Sequence, residues 1–258
     1  MTTSKYTTRD DWERRYSGSA GLHGPGTRAH SVNGNRQFYR TKRDALDRCL
    51  ALAQQTFQGK RILDIGGGSG QFIDYYLNRG ASRVVVSDYA ESALRHVQQQ
   101  YANDDRIGTW HCDATSTLTG QEEQFDFVLA MEMIFLISDD DGFARAVGNL
   151  ADFVLPNGCL LISDVFLEEG DPPSPEGATA KRRKRTLFER IITEHGLKIV
   201  GYVPQSVLYN RHVFRRLQGV VERCGNLLYW LDRLAMAFNM HPPADLRVEY
   251  LVATRPSG

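Results

Sequence analysis

A cluster of glycines follows an apolar stretch and an acid in the segment 61–72, Arg-Ile-Leu-Asp-Ile-Gly-Gly-Gly-Ser-Gly-Gln-Phe. The order of residue types predicts a short buried strand, a glycine turn and the start of a helix. Glycine lets the backbone take a positive φ or lie directly against a ligand. A helix N-terminus presents free N–H groups to whatever occupies the turn. The segment therefore predicts a nucleotide-type binding turn.

The spacing within this turn narrows the choice of ligand. A dinucleotide turn has the pattern G-x-G-x-x-G, whereas these glycines fall as G-x-G-x-G, with Gln71 at the position that completes the dinucleotide pattern. No Lys-Ser or Lys-Thr pair follows, which excludes a phosphate-binding P-loop. Asp64 at the entry to the turn would repel a pyrophosphate. That acid suits a ligand that carries a cationic amino group.

Two more acids stand at the ends of predicted strands. The segment 83–88 is apolar and β-branched and ends in Asp88, about 20 residues past the glycine turn, where an acceptor for ribose hydroxyls is expected. A third strand, 108–112, is followed by Asp113. Asp88 as a helix N-cap and Asp113 as a turn cap are the alternatives. Because the carboxyl ends of parallel strands line one crevice, we expect these carboxylates to lie together.

These elements, with a fourth strand at 125–130 and a turn and fifth strand at 155–163, resemble the class I S-adenosylmethionine-dependent methyltransferases over about residues 60–165. Within that family the arrangement is most similar to bacterial enzymes acting on small molecules or sugars. The resemblance implies that Asp64 and the glycines hold the methionine part of S-adenosylmethionine, Asp88 its ribose and Asp113 its adenine. The implied cofactor-binding residues are Asp64, Gly66, Gly67, Gly68, Asp88, Tyr89, Asp113, Ala114 and Met131.

Strands and helical stretches alternate from 61 to 164, which predicts a parallel sheet with covering helices. The predicted fold is α/β, a Rossmann-like doubly wound sheet of about seven strands, mostly parallel with an antiparallel last strand. An N-terminal cap and a helical insertion before the last strand complete it. We expect the first helix of the cap at 44–58. The expected single domain, 1–258, divides into a cap and helix (1–58), a cofactor-binding core (59–167) and an insertion (204–245).

The methyl acceptor must approach from beyond the ends of strands four to six. The insertion begins there, so we expect it to form a lid over the acceptor pocket or a dimer-forming helix. Its apolar residues recur every three or four positions from 213 to 238, a core-like stripe. The N-terminal aromatics Trp12, Tyr16 and Tyr39 either close over the sulfonium or pack ordinarily. The candidate catalytic residues are His212, Glu132 and Asp164, and the candidate substrate-binding residues are Tyr209, Asn210 and Arg211.

The reaction expected from the resemblance is methyl transfer to an oxygen or nitrogen nucleophile of a small molecule by in-line displacement. Proximity drives it, with help from a general base if the acceptor must lose a proton. One alternative is a nicotinamide-dependent oxidoreductase, which Gln71 and Asp64 both disfavour. Another is a non-catalytic protein that binds the cofactor on the same fold.

Composition limits the partners. Lys plus Arg equals Asp plus Glu at 31 each, so the formal charge is zero and a dedicated nucleic-acid binder is not expected. The basic run 181–185 predicts either a solvated helix edge or a site for a phosphate group, a nucleic acid or an acidic membrane surface. Acids 139–141 look like helix-start charges, and no metal is expected. The sequence has no signal stretch and no membrane-length apolar run, and its four cysteines are dispersed, so we expect a cytoplasmic protein. If the insertion is a dimer-forming helix, we expect a homodimer through 212–240.

Overall fold

The computed structural model of the protein describes residues 9–18, 32–116, 123–175, 180–207, 218–238, 240 and 247–257. Its strands are β1 (Arg61–Ile65), β2 (Arg83–Asp88), β3 (Ile107–His111), β4 (Phe125–Met131), β5 (Val154–Asp164), β6 (Phe166–Leu167), β7 (Arg183–Lys184), β8 (Lys198–Pro204) and β9 (Glu249–Thr254). Its helices are α1 (Arg9–Gly18), α2 (Val32–Ala53), α3 (Ile73–Leu77), α4 (Glu91–Gln100), α5 (Asp140–Asp152), α6 (Arg185–Glu194) and α7 (Gln218–Ala237).

Seven strands form one sheet in the order β3-β2-β1-β4-β5-β9-β8. Strands β1 to β5 pair in parallel, and β9 is antiparallel to both of its neighbours, β5 and β8. This confirms the predicted α/β fold with its antiparallel last strand. The strand order reverses between β1 and β4, and in open sheets of this kind ligands bind at the carboxyl ends of the strands beside such a reversal.

Both faces of the sheet are covered, because alternate residues of each central strand join different apolar clusters. On one face Leu63 and Ile65 pack in the cluster that contains residues of α5 and α6. On the other face Ile62 packs in the cluster that contains residues of α2, α3 and α4. Strands buried on both faces are near-continuous apolar runs, as β1, β2 and β4 are. This two-sided core fixes the strand ends on which the site is built.

The first helix of the core begins earlier than expected: α2 starts at Val32, not at position 44. Positions 32–43 are mostly polar, yet Asn35 and Tyr39 are buried at helical spacing ahead of Leu46 and Cys49. The helix therefore continues one buried face through a polar stretch, and tertiary burial rather than apolar composition sets its start.

The apolar stripe predicted from 213 to 238 is only partly buried on α7. Ala235 is buried, but Leu231 is 43% exposed and Phe238 73% exposed. The inward face is instead marked by Tyr229, whose hydroxyl donates to Asp44, and by the buried Asp232, which accepts the N–H of Val207 at 2.8 Å. Polar contacts orient this helix, so a count of apolar positions could not find its inner face. The homodimer through 212–240 stays a prediction.

Candidate active site

A cavity of about 610 Å³ lies at the carboxyl ends of β1, β2 and β4. Its volume is in the range of small-molecule sites. It joins residues that are far apart in the sequence, from α1 through the loop after β4. Of the nine predicted cofactor-binding residues, eight line this cavity: Asp64, Gly66, Gly67, Asp88, Tyr89, Asp113, Ala114 and Met131.

The glycine turn is held against β2 by its own backbone. The N–H groups of Gly66 and Gly67 both donate to the carbonyl oxygen of Ser87, at 2.7 and 3.1 Å. Gly66 has a φ of +69°, and a Cβ at Gly67 would approach the Asp64 carboxyl carbon to 3.0 Å. Glycine is required here because the backbone is left-handed and the acid lies directly beneath it. The turn therefore forms the floor of the cavity.

Asp64 offers a buried acceptor to the cavity. It is 1% exposed, and the Tyr76 hydroxyl donates to its Oδ2 at 3.2 Å. Its Oδ1 is buried and has no hydrogen-bond partner among the described residues. Burial raises the pKa of Asp64 to about 7, against the lowering effects of Tyr76 and Lys42. A cationic group placed at Oδ1 would satisfy this oxygen and favour the charged carboxylate.

Asp88 both supports the turn and faces the cavity. Its Oδ2 accepts the N–H of Gly68 at 3.0 Å, and its Oδ1 accepts the N–H of Ala90, the N-cap residue of α4, at 2.9 Å. Burial raises the pKa of Asp88, and these N–H donors oppose that rise. The prediction that Asp88 is a helix N-cap is therefore wrong, because Ala90 holds that position. Asp88 instead fixes the turn that precedes α4, and it also lines the cavity. Each oxygen keeps a second lone pair for a ligand.

Asp113 likewise has a local role beside its place in the cavity. Its Oδ1 accepts both the N–H of Thr115, at 2.9 Å, and the Thr115 hydroxyl, at 2.7 Å. The neighbouring Ala114 is buried, and its carbonyl accepts from the Asn149 side chain at 2.8 Å. These bonds fix the loop after β3 at the cavity edge.

Helices α1 and α2 cover the glycine turn with aromatic side chains. Tyr16 and Tyr39 are buried and line the cavity together with Trp12. A side chain at Gly68 would collide with the Tyr16 hydroxyl, so α1 lies directly on the turn. Helix α1 is fixed there because Glu13 accepts the N–H of Ser92, at the start of α4, at 3.0 Å. Whether these rings contact a sulfonium stays a prediction.

Glu132 lies at the end of β4 in a strained backbone conformation, with a φ of +54°. Its N–H donates to the carbonyl oxygen of Ser163, at 3.1 Å, and to the Ser163 hydroxyl, at 2.9 Å. Its Oε2 lies 3.1 Å from the Nζ of Lys42, and both side chains are largely buried. Its Oε1 is buried and lacks a hydrogen-bond partner within the described part of the chain. Non-glycine residues in this conformation cluster at functional sites.

Lys42 lines the cavity but was not among the predicted site residues. Its Nζ lies 5.1 Å from the centre of the Tyr39 ring and 4.7 Å from that of Phe38. The signal that could have identified it is its position three residues after Tyr39, on the same face of a helix that the sequence analysis began too late.

Of the other predicted catalytic and substrate-binding residues, Asp164 lies within the described ranges. It ends β5, is 1% exposed and does not line the cavity. Its Oδ1 accepts the N–H of Val165 at 2.6 Å, and burial raises its pKa to about 7. The predicted residues Tyr209, Asn210, Arg211 and His212 lie outside the described ranges.

The segment 135–139 forms a further wall of the cavity and includes the end of a 3-10 turn, Ile134–Leu136. It is called the acceptor wall here, after the predicted approach of the acceptor from beyond strand four. Phe135, Leu136 and Ile137 give it an apolar surface. Asp139 at its end caps α5 by accepting the N–H of Gly142 at 2.5 Å, as the helix-start interpretation of 139–141 predicts.

Within the described residues, no group of three or more His, Cys, Asp or Glu side chains is arranged to hold a metal ion. None of the described helices is long and apolar enough to cross a membrane.

Comparison with known proteins finds relatives for part of this chain. Residues 62–158 match the family model described as a methyltransferase domain. This match supports a methyltransferase domain of class I over that part of the chain. A ubiquinone biosynthesis O-methyltransferase of Coxiella burnetii is 30% identical over 116 residues, which cover 43% of this chain and 46% of that protein. The chain thus aligns with less than half the length of such curated relatives.

Solved structures share the fold of this chain over nearly its whole length. The N-methyltransferase NodS from Bradyrhizobium japonicum WM9, in complex with S-adenosyl-L-homocysteine, has a TM-score of 0.60 at 16% identity. That similarity covers 96% of this chain and 98% of NodS. Magnesium protoporphyrin IX methyltransferase from Synechocystis PCC 6803 has a TM-score of 0.57 at 15% identity, covering 96% of this chain and 92% of that one. At such identities the similarity concerns the fold alone.

Proposed function

We propose that the protein transfers the methyl group of S-adenosylmethionine to an oxygen or nitrogen atom of a small molecule. The observation that carries this proposal is the cavity in which Asp64, Asp88 and Asp113 meet around a left-handed glycine turn. The buried, unpartnered Oδ1 of Asp64 fits the amino group of the cofactor. Asp88 fits the ribose hydroxyls, and Asp113 with Ala114 fits the adenine.

The cofactor, when bound, supplies a methyl group on a sulfonium, which is already activated for displacement. The chain's task is then to align the acceptor behind that methyl carbon and to exclude water. Tyr16, Tyr39 and the acceptor wall serve this purpose, because they enclose the cavity with buried or apolar side chains. Solved relatives of the same fold include one with S-adenosyl-L-homocysteine, the demethylated cofactor, which supports this assignment.

Glu132 is the described residue best placed to take a proton from the acceptor. Lys42 occupies its Oε2, and its Oε1 is left to accept a hydrogen bond inside the cavity. The bonds from its N–H to Ser163 hold the strained backbone and so fix the direction of the carboxylate. An acceptor hydroxyl that donates to Oε1 would lose its proton there as the methyl group arrives, whereas an ammonium would have to lose its proton to Oε1 before the transfer, because the nitrogen needs a free lone pair. Asp164 and His212 remain alternative candidates from the sequence.

An oxygen nucleophile is the first acceptor to test. The curated relative from Coxiella burnetii is named as an O-methyltransferase of ubiquinone biosynthesis. The acceptor wall and Tyr39 offer apolar and aromatic surface beside Glu132, which suits a compact organic alcohol or phenol more than a highly polar sugar.

Calorimetry tests the cofactor, and a transfer assay tests the activity. We expect S-adenosylmethionine and S-adenosyl-L-homocysteine to bind and NAD not to bind. Micromolar NAD affinity without a response to the methyl donor would overturn the proposal in favour of an oxidoreductase. Incubation with methyl-labelled cofactor and a panel of phenols, sugars and amines then identifies the acceptor. Cofactor binding without transfer to any member would favour the non-catalytic alternative.

A further inference from the structure

Most of the positive charge of the basic run 181–185 is paired within the chain. Four of its five cationic side chains pair with acids of this chain. The pairs are Lys181 with Asp140 (2.8 Å), Arg183 with Asp140 (3.1 Å), Lys184 with Glu169 (3.0 Å) and Arg185 with Glu249 (2.6 Å). A site for nucleic acid or phosphate would need unpaired cations, so the run has another role.

The first three residues of the run, 181–183, lie along the acceptor wall and are called here the strap. The N–H of Lys181 donates to the carbonyl oxygen of Phe135 at 2.7 Å. The Nη2 of Arg183 donates to the carbonyl oxygens of Ile137 and Asp139, at 2.9 and 3.0 Å. Three alternate carbonyls of a cavity-lining segment are therefore satisfied by one strap.

Arg183 is fixed in turn by burial. Its side chain is 4% exposed, and its guanidinium lies 4.1 Å from the centre of the Phe143 ring on α5. Its Nε donates to Asp140, in the first turn of α5, at 3.1 Å. The planar fork of arginine reaches two carbonyls and a carboxylate at once, which the single ammonium of lysine cannot do. Loss of the fork would leave buried carbonyls without donors.

We propose that Arg183 is a positioning residue for the acceptor: through the strap it fixes the shape of the acceptor wall, and so it sets the affinity for the acceptor but not for the cofactor. This inference rests on the proposed function for the meaning of the wall. The cofactor half of the cavity is held by bonds within and between the ends of β1 and β2, and none of these involves Arg183.

Amide hydrogen exchange tests, without any substrate, whether Arg183 fixes the acceptor wall. The amides of Leu136 and Ile137 donate to Met133 and Ile134 within the turn, at 3.0 and 3.1 Å. In Arg183→Lys we expect these amides to exchange at least tenfold faster. The matched control is Arg185→Lys, the same change in the same run, because Arg185 pairs with Glu249 and Glu168 rather than with the wall. Unchanged exchange in Arg183→Lys, or equal acceleration in both variants, would overturn the proposal.

The wild-type protein supplies a second test in case Arg183→Lys does not fold. If strap and wall open together, the Lys181 amide should exchange at the same rate as those of Leu136 and Ile137. A Lys181 amide that exchanges freely beside a slow wall would contradict the proposal.

The effect of Arg183 on acceptor affinity is tested with the acceptor that the transfer assay identifies. For Arg183→Lys we expect KM for that acceptor to rise about tenfold, with the dissociation constant of S-adenosyl-L-homocysteine within a factor of two of wild type. A rise in both constants would assign Arg183 a general structural role. If the protein bound no methyl donor, the proposed function would be wrong. The exchange rates would still show whether Arg183 holds the acceptor wall in place.

Discussion

The two halves of the cavity are built in different ways. The cofactor half consists of backbone N–H groups and short carboxylates that directly follow strand ends, such as the Gly66–Ser87 and Gly68–Asp88 bonds. The acceptor half consists of long side chains from distant segments, such as Lys42 against Glu132 and Arg183 against Ile137. Local sequence motifs predict the first kind of site. The second kind depends on the tertiary arrangement, so its residues can change while the sheet and the glycine turn stay the same.

This difference predicts that substitutions in the two halves separate cleanly. Changes in the acceptor half should alter turnover or acceptor KM, and changes in the cofactor half should alter cofactor affinity. Any variant that affects both halves equally would show that the division is wrong.

The largest effect is expected for Glu132→Gln. If Glu132 removes the acceptor proton, turnover should fall by roughly 10²- to 10⁴-fold, the usual contribution of a general base. Glutamine keeps the size of the side chain, and its amide oxygen can accept a hydrogen bond from Lys42, so the cofactor dissociation constant should stay within about threefold. Steady-state kinetics and calorimetry measure the two quantities, with the exposed Glu169→Gln as control. Wild-type turnover would remove Glu132 from the chemistry.

The next effect tests the cofactor half through Asp88→Ala. Two charge-assisted bonds to ribose hydroxyls are worth a few kcal/mol together, so affinity for S-adenosyl-L-homocysteine should weaken by roughly tenfold to a few hundredfold. Asp88 also accepts the N–H groups of Gly68 and Ala90, so a melting curve must accompany the titration. Asp104→Ala, a change of a half-buried acid outside the cavity, is the control. An unchanged affinity would leave Asp88 only its role in holding the glycine turn and the turn before α4.

The sequence predicted for a physical reason that Asp64, Asp88 and Asp113 come together. Predicted strands that finish in or beside these acids are local patterns, and parallel pairing alone brings the strand ends together. The acceptor half had no such signal. The pairing of Lys42 with Glu132 spans about ninety positions, and the start of α2 lies in a polar stretch where only burial holds the helix.

The basic run shows the same limit. Five cations in sequence predict a patch for an anion, but their partners Asp140, Glu169 and Glu249 come from three other segments. A composition-based rule counts charge and cannot see pairing across the fold.

A smaller effect follows from the raised pKa of Asp64, which burial brings to about 7. A carboxyl with a raised pKa holds a proton in the free protein below pH 7, whereas the cationic amino group of the cofactor favours the carboxylate. Binding therefore releases a proton below pH 7. We expect affinity to increase by at most about tenfold per pH unit between pH 5.5 and 7 and to level off above that.

Two asparagine variants decide whether Asp64 causes this dependence. Calorimetry of S-adenosyl-L-homocysteine binding should give a flat profile for Asp64→Asn. Burial also raises the pKa of Asp164 to about 7, but Asp164 does not line the cavity, so Asp164→Asn should keep the wild-type slope. If Asp164→Asn removes the slope and Asp64→Asn does not, the amino group of the cofactor has been assigned to the wrong acid.

The smallest effect concerns the insertion, where Asn210 and His212 are predicted to orient the acceptor. A neutral hydrogen bond contributes about 0.5–1.5 kcal/mol, so Asn210→Ala and His212→Ala should each raise acceptor KM by roughly two- to twelvefold with cofactor affinity near normal. The loss of turnover in these variants is compared with that in Glu132→Gln to decide which residue is the general base. If His212→Ala instead lowers turnover by roughly 10²-fold or more, the general base lies on the insertion and Glu132 only supports the wall. Wild-type kinetics in both variants would mean that 204–245 is a structural element or a dimer surface, and that the acceptor half is complete with α2, β4 and the strap.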